Sequence, residues 1–290
     1  MRRITDRAIV LRVVPYEDRH RVVTALTENH GKVSALARNS VQSRRFGGAL
    51  EVFTAAEWMV SERSEQAELW SLQEAKALKS FEGLRASLGK MAMAGVLSEL
   101  MMRIAPEKEA CPDLFKLHAN ALAALEEMEE KLIGEPPPTS FLNGYLAKLL
   151  QWSGSQPQLA SCRGCGKRLE EYWKSGELDE PLTILIAEAS WICEGCRRGQ
   201  SLHVRQGSVS GLESLQVTSG TMADFYMSLV TPIRQIPSTA SVSEAHHRAL
   251  FRVLEALLIF HQPGFDRLPI KSLKFLGLES SWQPPEGQHR

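Results

Sequence analysis

The 290-residue sequence has no apolar run of the roughly 18 or more residues that a helix needs to cross a bilayer, so no integral membrane segment is expected. It lacks net charge, with 34 basic and 34 acidic side chains, which by itself argues against a dedicated polyanion binder. No internal repeat is evident, which removes solenoids and propellers. No paired nucleophile and base motif, Gly-rich phosphate loop or HExxH is present, so an enzyme is not expected. Met1 to Val14 begins with basic residues and a short apolar run, but Arg12 interrupts it and no small-residue cleavage site follows. That stretch reads as a strand rather than an export signal, which places the chain in the cytoplasm.

The charge that is present is unevenly spread. Residues 1–50 carry ten Lys or Arg against four acids, and no acid at all lies between Glu28 and Glu51. Acids elsewhere restore the balance, notably Glu126, Glu127, Glu129 and Glu130, a pattern that suits a solvated helix face. The segment from His30 to Leu50 holds Lys32, Arg38, Arg44 and Arg45, with Ser34, Asn39, Ser40 and Ser43 as neutral donors. That is a phosphate-contacting composition, with a solvated surface loop as the alternative.

Hydrophobic alternation predicts five strands, Ala8 to Val14, Arg21 to Thr27, Lys32 to Ala37, Leu50 to Val60 and Ala67 to Leu72, with turn residues between them. Five short strands suit a closed OB-fold barrel, with an SH3-like barrel as the alternative. OB-folds hold single strands with basic grooves and stacking aromatics, for which Phe46, Phe53 and Trp58 are candidates. Phe53 and Trp58 fall on opposite faces, so one of them belongs to the core.

After Lys79 the period becomes helical. Phe81, Leu84, Leu88, Met91, Leu97, Leu100, Met101 and Ile104 recur mainly at steps of three and four, and their apolar stripe reads as core. A second helix is expected over Leu114 to Leu132, ended by Pro136-Pro137-Pro138. A third, capped by Thr139 or Ser140, should run to Trp152 and stop at Gly154. Ser241 and Glu244 predict a capping box for a later helix carrying Leu250, Phe251, Leu254, Leu257 and Leu258. The adjacent pair His246-His247 points in two directions from a helix and is not read as a metal site.

Cys162-Arg163-Gly164-Cys165 and Cys193-Glu194-Gly195-Cys196 are two CxxC turns separated by 27 residues. Two such turns form a thiolate tetrahedron suited to one structural zinc, whose four protein ligands leave no place for a catalytic water. The long separation calls for a small β insertion, with Thr183 to Ala187 as one strand. Disulfide pairing is the alternative, disfavoured in a reducing compartment. Cys111 has no partner in this scheme. The expected organisation is multidomain α+β: a five-stranded OB-fold barrel over 1–78, a helical domain over 79–158 and 207–282, a zinc-knuckle insertion over 159–206, and a disordered tail over 283–290.

Arg7-Ala8-Ile9-Val10-Leu11-Arg12, then His30-Gly31-Lys32-Val33, then Phe46 to Thr54 (FGGALEVFT) resemble the start of the RecO family of bacterial recombination mediators. The likeness continues more thinly through the helices, the CxxC pair and Leu268 to Leu276 (LPIKSLKFL). It implies an amino-terminal OB-fold, a helical domain and, in many members, a zinc knuckle. It further implies binding of single- and double-stranded DNA, annealing of complementary strands, contact with single-strand-binding protein, and work with RecR to load RecA, with RecF and RecA as further candidate partners. Family DNA contacts fall on Lys32, Arg38, Arg44 and Arg45, with Lys271 and Lys274 as the next candidates. Tyr145 and Lys148 fit a family pattern that makes Lys148 a candidate contact for the acidic tail of single-strand-binding protein. Its alternative is a solvated helix lysine. The clearest departure is Ala37-Arg38-Asn39-Ser40, where relatives commonly carry Ala-Lys-Gly-Ala; Asn can adopt the left-handed conformation that Gly supplies. The competing function is a zinc-containing interaction adaptor whose barrel never touches nucleic acid.

Overall fold

Five β-rich segments at the start of the chain form a closed barrel because each has apolar side chains to hide from water. The computed structural model describes residues 2–41, 43, 45–62, 68–129, 138–199, 214–236, 243–265 and 268–280. Two compact units, Met1–Pro137 and Pro138–Arg290, divide the chain. In the first unit β1 (Arg2–Tyr16), β2 (His20–Thr27), β3 (Gly31–Ala37), β4 (Ala55–Glu62) and β5 (Trp70–Lys79) close in the order β1-β2-β3-β5-β4. The long β1 pairs with β4 through Ile9 and with β2 from Ala8 onward, and a register shift between Val10 and Arg12 lets it turn from one neighbour to the other. A short parallel pairing of β3 with β5, Ala35 opposite Trp70, completes the closure.

The lumen is filled by Val10, Val23, Val33, Val60, Trp58 and Trp70 among small residues such as Ala25, Ala35 and Ala56. Bulky and small side chains fill the interior together, as a five-stranded barrel requires. Three strands differ from the expectation: β1 begins at Arg2 rather than Ala8, since residues 2–9 pair with β4, and β4 and β5 are shifted. Leu50–Thr54 are not part of β4, because Phe53 lies at φ +68 and the segment folds as turns, with Ala49 N–H donating to the Phe46 carbonyl. β5 runs on to Lys79, since residues 73–79, which have helical composition, are held by antiparallel pairing with β4.

Helices α1 (Glu82–Arg85), α2 (Leu88–Ile104) and α3 (Pro112–Glu127) belong to this same unit. The single helical stripe expected from Phe81 onward is therefore broken, and Ser87 restarts it by accepting from the Lys90 N–H as the α2 N-cap. The segment after α2 lies against the β2–β3 turn: Lys32 N–H donates to the Pro106 carbonyl and Lys108 N–H to the Lys32 carbonyl. Gly31, at φ +63, is required there, since a Cβ would strike the carbonyl oxygens of Glu109 and Pro106.

In the second unit α4 (Thr139–Trp152), α7 (Ser219–Val230) and α8 (Glu244–His261) pack together. α4 starts one residue after Pro138 without a side-chain cap; the Thr139 hydroxyl instead donates to Glu244 Oε1 at 2.5 Å. Gly154, at φ +72, follows its end. Ser243 caps α8, accepting from His246 N–H; the expected Ser241 lies outside the described residues, as do 130–137 and the tail 283–290. Between α4 and α7 come α5 (Leu169–Ser175), the hairpin β6 (Pro181–Leu185) and β7 (Ser190–Cys193), α6 (Glu194–Gly199), and β8 (Ser214–Thr218). The sheet order is β7-β6-β8, so the cysteine segment takes its third strand from beyond residue 206. A 3-10 turn over Lys271–Leu276 follows α8.

Candidate functional site

Each CxxC turn sits where the backbone can aim N–H groups at sulfur. The first is closed by Cys162 N–H donating to the Lys167 carbonyl and Gly166 N–H to the Cys162 carbonyl. The second begins at the end of β7, where Cys193 pairs with Leu182 of β6, and continues into α6. Gly164 and Cys193 N–H groups lie 3.4 and 3.3 Å from Cys162 Sγ. The four sulfurs of Cys162, Cys165, Cys193 and Cys196 all lie within 4.8 Å of one another, and Cys165 Sγ is 3.7 Å from Cys193 Sγ. Four sulfurs about 2.3 Å from a central ion would stand about 3.8 Å apart, so the cluster has the dimensions of a tetrahedral thiolate site.

Its electrostatics also ask for a cation. Burial opposes ionisation of Cys162, but the N–H groups of Cys165, Cys193 and Gly164 bring its pKa down to about 6. Cys196 is pushed up to about 12, chiefly by its hydrogen bonds with the Cys193 and Cys165 sulfurs. One thiolate thus forms readily, while Cys193 and Cys196, both pushed up, hold their protons more tightly unless a metal neutralises the cluster. Cys111 stands apart, buried in the other unit, with its thiol pushed up to about 11 by burial and then by Glu109. His246 and His247 form no metal group either: His247 is buried, its Nδ1 3.1 Å from Asp224 Oδ2 and its carbonyl accepting from Asn143 Nδ2.

The basic residues separate into exposed and engaged ones. Arg38 is exposed beside Asn39, which adopts φ +52, so asparagine does make the left-handed turn. Asn39 N–H donates to His20 Nδ1 at 2.8 Å. Arg45 lies over the Phe46 ring, 5.5 Å from its centroid, and reaches toward Ser43 Oγ and the Arg38 carbonyl. Arg38 and Arg45 therefore share one surface turn; Arg44 lies outside the described residues. Lys32 differs: its ammonium donates to the Met102 carbonyl at 2.7 Å and stands 3.5 Å from Glu107. Lys271 and Lys274 are exposed, but on the second unit.

Phe46, Phe53 and Trp58 are all buried, at 2%, 7% and 1% exposure, so none of the three offers a ring to a nucleobase. Trp58 belongs to the barrel core as one of the pair was expected to, and Phe53 is buried because its turn folds it inward. Tyr145 is fully buried in α4. Lys148 is half-buried, and its ammonium donates to the carbonyls of Ser228 and Leu229 at 3.2 and 3.1 Å. Burial draws its pKa below the ordinary lysine value.

The family profile described as Recombination protein O N terminal matches residues 1–81, and that described as Recombination protein O C terminal matches residues 85–264. This chain belongs to the RecO family. A DNA repair protein RecO of Anaeromyxobacter sp. (strain K) is 34% identical over 219 residues, covering 74% of this chain and 80% of the relative. The DNA repair protein RecO of Myxococcus xanthus (strain DK1622) is 32% identical over 269 residues, 92% of this chain and 100% of the relative. That of Pelobacter propionicus is 29% identical over 270 residues, 93% and 94%. Membership supports a role in DNA repair. No helix among the described residues is long and apolar enough to cross a membrane.

Proposed function

We propose that this RecO-family chain is a cytoplasmic recombination mediator that associates with the nucleoid during repair. It binds single- and double-stranded DNA, anneals complementary strands and, with RecR, helps load RecA onto DNA coated by single-strand-binding protein. RecF is a further candidate partner. The observation that carries this reading is the exposed turn holding Arg38 and Arg45, in a stretch without acids, on the barrel of a chain that matches both halves of the family. Guanidinium groups so placed neutralise phosphates without reading sequence, which suits a protein that must act on any broken DNA. The four cysteines would hold one structural zinc. The ion would cross-link the two turns of the second unit, and four protein ligands would leave it no part in chemistry.

Strand annealing with single-strand-binding protein present tests the reading. The chain should accelerate pairing of complementary coated strands, and should bind a labelled oligonucleotide more weakly as salt rises. No acceleration, and no oligonucleotide binding even at low salt, would leave the interaction adaptor as the better account.

A further inference from the structure

The outer wall of the barrel carries a feature outside the basic turn. Along β1 the side chains of Arg12, Val14 and Tyr16 point away from the lumen, and the register sets Val14 beside Val22 and Tyr16 beside His20. Val22 in turn lies beside Leu36 of β3. Val14 and Tyr16 are 37% and 48% exposed, large values for an apolar and an aromatic side chain. Tyr16 makes no hydrogen bond or ring contact with any described residue. About half of the residue's surface therefore stays open to solvent.

Tyr16 is also continuous with the turn assigned to phosphate. Its cross-strand neighbour His20 accepts from the Asn39 N–H through Nδ1, which leaves Nε2 to carry the proton facing Glu17 at 3.4 Å. Asn39 adjoins Arg38, whose carbonyl is reached by Arg45. Arg12 and Arg38 have no acidic partner among the described residues. One strip of barrel wall thus presents a free aromatic ring, an apolar strip and unpaired guanidinium groups. Duplex DNA keeps its base faces stacked inside and could use only the cations. An unpaired strand could use all three, because every base has a face to lay on a ring.

Resting on the DNA-binding reading above, we propose that Tyr16 is the stacking residue of this barrel and makes it prefer single-stranded over duplex DNA. Its ring takes the place for which Phe46, Phe53 and Trp58 are disqualified by burial. The occupant is a single-stranded polynucleotide, since Arg12 and Arg38 lie unpaired on the same wall and the stretch from 29 to 50 holds no acid, while the nearest acids, Glu17 and Asp18, lie in the turn that follows the ring, Glu17 facing His20.

Fluorescence anisotropy of the full chain, with zinc present, on three labelled probes tests this: an oligothymidylate, a duplex of the same length, and an abasic strand of that length. Tyr16→Ala should weaken oligothymidylate binding by about fivefold or more while leaving the duplex and the abasic strand unchanged, and Tyr16→Phe should bind as the native chain does. An equal loss on all three probes would reduce Tyr16 to a structural role and overturn the proposal. So would an unchanged affinity for oligothymidylate in a native chain that does bind it, leaving the mediator reading standing. Absence of binding by the native chain to every probe would overturn both.

Discussion

Lys32, Lys90 and Lys148 use their ammonium groups in one way. Lys32 donates to Met102 O in the last turn of α2, Lys90 to Glu126 O in the last turn of α3, and Lys148 to Ser228 O and Leu229 O in the last turn of α7. Helix ends leave carbonyls without partners and carry partial negative charge, so a lysine arriving from another element satisfies both demands. Such a lysine ties one element to the end of another. Lys32→Met, which keeps the aliphatic stem, should lower stability by about 1.5 to 3 kcal/mol, the usual worth of a hydrogen bond to a charged group, and barely change DNA affinity. Joint replacement of Arg38 and Arg45 by Ala should do the reverse: stability holds while affinity falls and the salt dependence flattens, by about 0.7 in logarithmic slope per lost single-strand contact. Urea unfolding and salt-titrated anisotropy measure the two effects. A Lys32 variant that loses DNA affinity without losing stability would contradict the assignment of its charge.

At the scale of elements, what was legible in the sequence depended on whether local pattern or distant contact decides the conformation. β3 was readable because alternation sets its inner face, β2 because it is a short β-rich run between turn residues, and the two CxxC turns because their spacing brings the thiols together. The start of β4 was not, because Leu50 to Phe53 have strand composition while Phe53 takes a left-handed conformation. Residues 73–79 look helical but are drawn into β5 by their partner strand. Lysine struts cannot be read at all, since nothing local to Lys148 announces the end of α7 some eighty positions later. α3 carries another such feature: His118 is fully buried and burial lowers its pKa from 6.5 to about 3. The unfolded chain takes up that proton near its ordinary value, whereas the folded chain resists it. His118 therefore favours folding above about pH 6.5, and that contribution is lost as pH falls from there toward 3, by at most about 1.4 kcal/mol per pH unit. Comparing urea midpoints of the native chain and His118→Leu from neutral to acid pH should show the variant losing less stability; parallel curves would mean that His118 takes up its proton equally in the folded and unfolded chain, so that burial does not lower its pKa.

For the whole molecule the decisive division is between two units with separate stabilising devices. The first unit joins a closed barrel to α1, α2 and α3, with hydrogen bonds such as those between Lys32 and the segment after α2 tying the two together. All four CxxC cysteines lie in the second unit, which also holds β8, the strand that completes the β7-β6-β8 sheet. A metal bound there stabilises the state that presents four converging sulfurs, and its removal leaves thiols that cannot all ionise together. The first unit holds only the lone buried thiol of Cys111, with no second cysteine in that unit to share a metal with it. Calorimetry of the full chain should therefore resolve a transition that a chelator, or Cys162→Ser, moves to lower temperature and another that neither moves. Elemental analysis should find one zinc per native chain and little in the variant. A single transition shifting as a whole would mean that the units unfold as one, and full metal retention in Cys162→Ser would remove that cysteine from the site.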